Sequence, residues 1–212
     1  MLVRDVMQPR VFAVTPDTTL SEAVRLTRVR GIRHLPVLEG RELVGIVSDR
    51  DLKRVMASPA TSLEARELTH LLDRLTVAEI MTRPVITVAP PVPMEEAARV
   101  MVREKISALP VIEEGRLVGI VTETDVLELF VKAMGAGEPS SRLDVALGEG
   151  RSALAEVVRV VEEAGMQVAS IMTLVSRAGH MKAVMRVATI NPSPAVKALE
   201  ARGYAVRQPW RG

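Results

Sequence analysis

A gap-free internal repeat constrains this chain more than any other feature. Shifted by 74 residues, the sequence falls on itself: Val3 on Val77, Met7 on Met81, Val14 on Val88, Pro16 on Pro90 and Glu22-Ala23 on Glu96-Ala97. Leu35-Pro36-Val37 falls on Leu109-Pro110-Val111, and Leu43-Val44-Gly45-Ile46-Val47 on Leu117-Val118-Gly119-Ile120-Val121. Such self-similarity marks two copies of one supersecondary unit.

Each copy reads β-α-β-β-α. Short extended runs at 11–15 and 85–89 precede helices whose apolar positions 20, 23, 24 and 27, and 94, 97, 98 and 101, form one face. Thr19 and Glu22 make a capping box at the first of these helices, and Pro93 suits the start of the second. Strands follow at 35–38 and 42–47 and at 109–112 and 116–121, with hairpin turns at Glu39-Gly40-Arg41 and Glu113-Glu114-Gly115. A second helix begins near 48 and near 122. A unit this small is close to the lower limit for independent stability, so the two copies are expected to bury their open sheet faces against each other.

The expected organisation is repeat 1 over 1–60, a linker helix over 61–75, repeat 2 over 76–134, a linker over 135–140 and a third unit over 141–212. The linker helix has a capping box at Thr61 and Glu64 and apolar contacts at Leu63, Leu71, Leu72 and Leu75. The third unit reads as strand 143–147, helix 152–164, strands 167–176 and 181–190, helix 192–202 and strand 204–208. That β-α-β-β-α-β order is the ferredoxin-like plan. The fold class is α/β (α+β) throughout.

Only Phe12, Phe130, Tyr204 and Trp210 are aromatic, so the core must be aliphatic, with the eleven methionines packing among it. The absence of cysteine excludes disulfide and thiol chemistry and fits a cytoplasmic setting. No stretch reaches the roughly 20 apolar residues that span a bilayer, and no signal peptide is visible, so no membrane partner is expected. With a net charge of +2, the one dense basic cluster is Arg28, Arg30, Arg33 and His34. It suits a phosphate site better than a nucleic-acid footprint, and Arg28 and Arg30 read as solvated helix residues. His70 and His180 lack metal-ligand spacing and read as surface residues. No catalytic triad, metal motif or phosphate loop is present, so the chain reads as no enzyme.

Chemistry concentrates in two matched segments, Gly45-Ile46-Val47-Ser48-Asp49-Arg50-Asp51 and Gly119-Ile120-Val121-Thr122-Glu123-Thr124-Asp125. Each is a strand ending in a hydroxyl residue with a carboxylate three positions on. One reading is a plain helix cap. The other is a ligand site, in which the helix start attracts phosphate and the carboxylate accepts hydrogen bonds from ribose.

These motifs, with Val-x-x-Val-Met and Val-x-x-Ile-Met at the openings, Val-x-Pro after the first strand and Leu-Pro-Val, resemble a pair of CBS domains, the Bateman module, over residues 1–134. The resemblance implies an adenosine-containing regulatory ligand (AMP, ADP, ATP or S-adenosylmethionine) in the cleft between repeats and no obligatory cofactor. It implies ribose contacts from Asp51 and Asp125, and phosphate contacts from Ser48, Thr122, Arg33 and His34. Thr15, Ile32, Ala89 and Ile106 would lie near the base. Ser107 and Ala108 replace Arg33 and His34 in the second copy, so unequal clefts are expected.

The third unit resembles an ACT domain by its order of elements. Its loop Gly148-Glu149-Gly150-Arg151-Ser152 stands where that family binds amino acids but lacks the family's Asp-x-Pro-Gly. Gly148, Gly150 and Ser152 thus read either as ligand contacts or as residues permitting a tight turn, and a pairing role for the sheet is a third reading. The whole chain is similar to bacterial acetoin-utilization proteins of the B type. The resulting expectation is a non-catalytic regulator, a likeness that implies a homodimer and a partner enzyme in carbon metabolism. The alternative is a constitutive dimeric adaptor that binds no nucleotide.

Overall fold

The computed structural model describes residues 1–57, 72–148, 153–175 and 179–209. The chain divides into two compact units, Met1–Val126 and Leu127–Gly212.

In the first unit, helix α1 (Leu20–Arg30) leads into the hairpin β1 (His34–Glu39) and β2 (Glu42–Ser48), and α2 (Asp49–Ala57) follows. The second copy repeats this as α3 (Met94–Glu104), β3 (Ala108–Glu113), β4 (Arg116–Thr122) and α4 (Glu123–Ala133), the last running on past Val126 into the second unit. Thr19 and Glu22 form the capping box expected of α1, and Pro93 stands at the N-cap of α3. Both hairpins are antiparallel, with register shifts at matching places, Val37/Leu38 and Val111/Ile112.

The runs at 11–15 and 85–89 are not strands. Each contributes one parallel bridge, Val14 to Val37 and Val88 to Val111. Val14 is buried on the core side, whereas Phe12 and Ile86 face outward.

The opening turn of each copy is lodged in the other copy. The Val3 amide donates to the Val92 carbonyl at 2.8 Å, and the Gln8 and Ile120 backbones exchange hydrogen bonds. Reciprocally, the Val77 amide donates to Thr18 at 2.8 Å, and Thr82 pairs with Ile46. The core of repeat 1 therefore contains Leu72, Val77 and Met81 beside its own Val14, Leu20, Ala23, Leu35, Val37, Val47 and Leu52. The glycines of the repeated motif are explained by this exchange. A Cβ built on Gly45 would collide with the Met81 sulfur, and one on Gly119 would fall 2.6 Å from the Met7 sulfur. Each opening methionine thus packs over the strand glycine of the opposite copy.

The second unit contains β5 (Ser141–Ala146), α5 (Ala153–Glu163), β6 (Val168–Val175), β7 (Met181–Val187), α6 (Ser193–Ala201) and β8 (Val206–Arg207). Its antiparallel sheet runs β6-β7-β5-β8. Val157, Val160 and Val161 of α5 and Ala195 and Leu199 of α6 bury one sheet face, formed by Leu143, Val145, Ala183, Met185 and Val187. On the other face Asp144 accepts from Arg142 at 2.7 Å and from Lys182 at 3.3 Å. Burial alone would raise the Asp144 carboxyl, and these two donors more than offset it, leaving it below its ordinary value. Residues 135–140, expected as a linker, fall within this unit, where Arg186 donates to Ser140 Oγ at 3.0 Å and Ser140 Oγ to the Glu138 carbonyl at 2.9 Å.

Candidate functional site

The cap and the carboxylate of the repeated motif are one construction. Strand β2 ends at Ser48, whose amide and hydroxyl donate to Asp51 Oδ2 at 3.0 and 2.6 Å. The Asp51 amide donates back to Ser48 Oγ at 3.3 Å. Thr122 and Asp125 repeat this at 2.7, 2.7 and 3.4 Å. Reciprocal capping of this kind fixes the carboxylate and leaves its second oxygen, Oδ1, outside the cap. The helix amides are less available than the sequence suggests. The Asp49 amide donates to the Arg33 carbonyl at 2.8 Å, and the Glu123 amide to the Ser107 carbonyl at 3.0 Å. Phosphate recognition at these helix starts would therefore fall to side chains.

The two clefts differ. Beside Ser48 and Asp51 lies a cavity of about 220 Å³. Its apolar wall is Ile46 with Pro84, Val85, Ile86 and Ile106 of the other repeat, and its polar lining includes His34, Thr82, Ser107, Arg50, Arg54 and Lys105. Among the described residues, Asp51 Oδ1 meets only the exposed Arg54 guanidinium, at 3.5 Å.

In the symmetry-related cleft the corresponding groups already have partners. Gln8 donates to Asp125 Oδ1 at 3.3 Å, Arg33 donates to Thr124 Oγ1 at 3.0 Å, and Arg30 lies over the Phe12 ring at 4.7 Å. Phe12 is the counterpart of Ile86; Arg30 stacks on its ring and is itself exposed, as expected of a solvated helix residue. Asp125 is buried, whereas Asp51 is half-buried.

Of the residues expected at a ligand, the structure gathers His34, Ser48, Asp51 and Ile106 around the open cavity. Thr122, Asp125 and Arg33 belong to the symmetry-related cleft, where Asp125 and Arg33 already have partners. Ile32 lines a separate groove of about 170 Å³ between α1 and α2, together with Arg28. Thr15 and Ala89 line neither. The Thr15 amide donates to Thr18 Oγ1 at 3.0 Å, and the Ala89 carbonyl accepts from Val92, so both close turns. Val85 and Ile86 take the wall position assigned to Ala89. Arg50, Arg54 and Lys105 were missed, although Arg50 and Arg54 stand four apart, on one face of the helix that carries Asp51. Gly148 is exposed and has no positive φ. Gly150, Ser152, His70, Thr61 and Glu64 lie outside the described residues.

Between the clefts, His34 Nε2 and Ser107 Oγ are 2.8 Å apart. Burial holds the imidazole below its ordinary value of 6.5; Asp49 and Glu123 oppose this, and Arg33 and Arg50 reinforce it. Because the folded value is lowered, the unfolded chain takes the proton first. Stability is complete above pH 6.5 and falls as the pH drops below it through the folded value. Denaturant midpoints at pH 7.5 and pH 5.5 should show this loss, and His34→Asn should shrink it.

With this geometry the comparisons are direct. Residues 3–58 and 77–132 match the CBS domain family, and the chain belongs to it. The CBS domain pair of protein MJ0100, in complex with 5'-methylthioadenosine and S-adenosyl-L-methionine, is 30% identical with a TM-score of 0.54; the match covers 62% of this chain and 97% of that one. A putative acetoin utilization protein (AcuB) from Vibrio cholerae is 30% identical with a TM-score of 0.53, covering 65% and 95% of the two chains. CBSX2 in complex with AMP is 30% identical with a TM-score of 0.52, covering 62% and 97%. Among the described residues, no helix is long and apolar enough to cross a membrane.

Proposed function

We propose that this protein is a non-catalytic regulator that senses an adenosine-containing ligand in the Ser48–Asp51 cleft. The observation that carries this reading is the cavity itself. It sets a capped, oriented carboxylate opposite an apolar wall donated by the other repeat, so a ligand there would bridge both copies. Asp51 would meet the ribose, and Ile46, Val85, Ile86 and Ile106 would flank the base. The complexes of the MJ0100 CBS domain pair with 5'-methylthioadenosine and S-adenosyl-L-methionine, and of CBSX2 with AMP, support the assignment of class. Titration calorimetry of the full chain with AMP, ADP, ATP, 5'-methylthioadenosine and S-adenosylmethionine tests it: at least one should bind, and silence for all five at millimolar concentration would refute it. Binding should also raise the melting temperature, since a ligand preferring the native state stabilises it.

The third unit is read as an ACT-type, ferredoxin-like domain, supported by its element order and the strand order β6-β7-β5-β8. A link to acetoin or related carbon metabolism rests on the similarity to the Vibrio cholerae protein. The adaptor reading keeps one specific support. Leu127, Phe130 and Val131 form an exposed apolar stripe on α4, at 63%, 53% and 48% exposure, which suits a homodimer or a partner enzyme.

A further inference from the structure

We propose that the open cleft selects phosphorylated adenosine ligands over cationic ones, and that Arg54 exchanges Asp51 for the ligand's phosphate when they bind. This rests on the sensing function above and names the ligand class for the same site.

Charge is the first support. Arg50, Arg54 and Lys105 line the open cavity against the single carboxylate of Asp51. The equivalent positions of the other cleft are Thr124, Glu128 and Gly31, with Asp125 for Asp51. The other cleft carries Arg10 and Arg33 at the positions of Pro84 and Ser107, but Arg33 is already bonded to Thr124 Oγ1 and Glu128 adds a second carboxylate. A diphosphate would be drawn into the open cleft, whereas the sulfonium of S-adenosylmethionine would meet like charge.

Lys105 supplies a second and independent support. It sits at φ 56°, in the left-handed region, at the end of α3. Its counterpart at the end of α1 is Gly31, at φ 63°. Glycine adopts this conformation without penalty, and a lysine does so only at a cost in stability. Glu114, at φ 49° where the first copy has Gly40 at φ 62°, carries the same kind of strain in a hairpin turn, so what sets Lys105 apart is that its side chain lines the cavity.

Arg54 supplies the exchange. Its contact with Asp51 is long, at 3.5 Å, and its side chain is 75% exposed, so little holds it there. Ribose hydroxyls donating to Asp51 Oδ1 would displace the guanidinium, which is then free to pair with phosphate. Arg–phosphate contacts of this kind are strong and often bidentate.

The test is calorimetric titration of the full chain with ADP, adenosine and S-adenosylmethionine, using wild type, Arg54→Gln and Lys105→Gly. Wild type should bind ADP about 10- to 100-fold more tightly than adenosine, the range expected for hydrogen bonds between charged groups. S-adenosylmethionine should bind more weakly than adenosine. Arg54→Gln should erase most of the ADP preference while adenosine affinity holds or rises, because its competitor for Asp51 is gone. Lys105→Gly should also weaken ADP binding, with no loss of thermal stability. S-adenosylmethionine binding as tightly as ADP, or Arg54→Gln weakening adenosine and ADP equally, would overturn the selectivity while leaving adenosine sensing intact. Failure of all three compounds to bind would remove both.

Discussion

Gly45→Val is expected to lower the unfolding free energy of the first unit by about 1–3 kcal/mol, the usual cost of forcing extra carbon into a filled core. The cause lies in the other repeat. The Met81 side chain occupies the space a Cβ would need and is itself 9% exposed, so it has little room to retreat. Denaturant unfolding reads the loss directly. Combining Gly45→Val with Met81→Ala should cost less than the sum of the two single changes, because the truncated side chain vacates the space. Strict additivity would mean that Met81 does not pack over this strand.

The larger effect on binding is expected from Asp51→Ala. It should weaken the adenosine-containing ligand by about 10- to 100-fold, the worth of hydrogen bonds to a charged group. The fold should survive with the loss of one cap, about 1 kcal/mol. Asp125→Ala should behave in the opposite way. That carboxylate is buried and holds Gln8 as well as its own cap, so its removal should cost more stability and change ligand affinity little. Thermal unfolding and titration of the two variants side by side check the contrast.

Much of this architecture is legible in the residues. The two hairpins, the helices α1 and α3, the capping boxes at Thr19 and Ser48, and the order of elements in the third unit all follow from apolar period and turn chemistry. These signals are local, and local signals survive folding when packing agrees with them. The runs at 11–15 and 85–89 misled for a related reason. The short apolar run Val11, Phe12, Ala13 and Val14 reads as an extended segment, yet only Val14 pairs, and Phe12 turns outward.

The exchange of opening segments lay beyond the sequence. Self-similarity shows that Met7 and Met81 are alike, but it cannot show that each packs on the opposite copy. The inequality of the clefts was anticipated from Ser107 and Ala108, but the contacts that produce it were not. Gln8 and Asp125 are 117 residues apart, and Arg33 and Thr124 are 91 apart, so only the closed pair of repeats brings them together. Arg33 read as a phosphate contact because it adjoins Leu35-Pro36. Its guanidinium instead spans to the second copy.

The central claim is that one cleft of the pair receives ligand while the other is held by the chain's own side chains. The number of ADP molecules bound per chain at saturation, measured by titration calorimetry, tests this most directly. The account predicts one, abolished by Asp51→Ala and retained in Asp125→Ala; two equivalent molecules per chain, or one that survives Asp51→Ala, would contradict it.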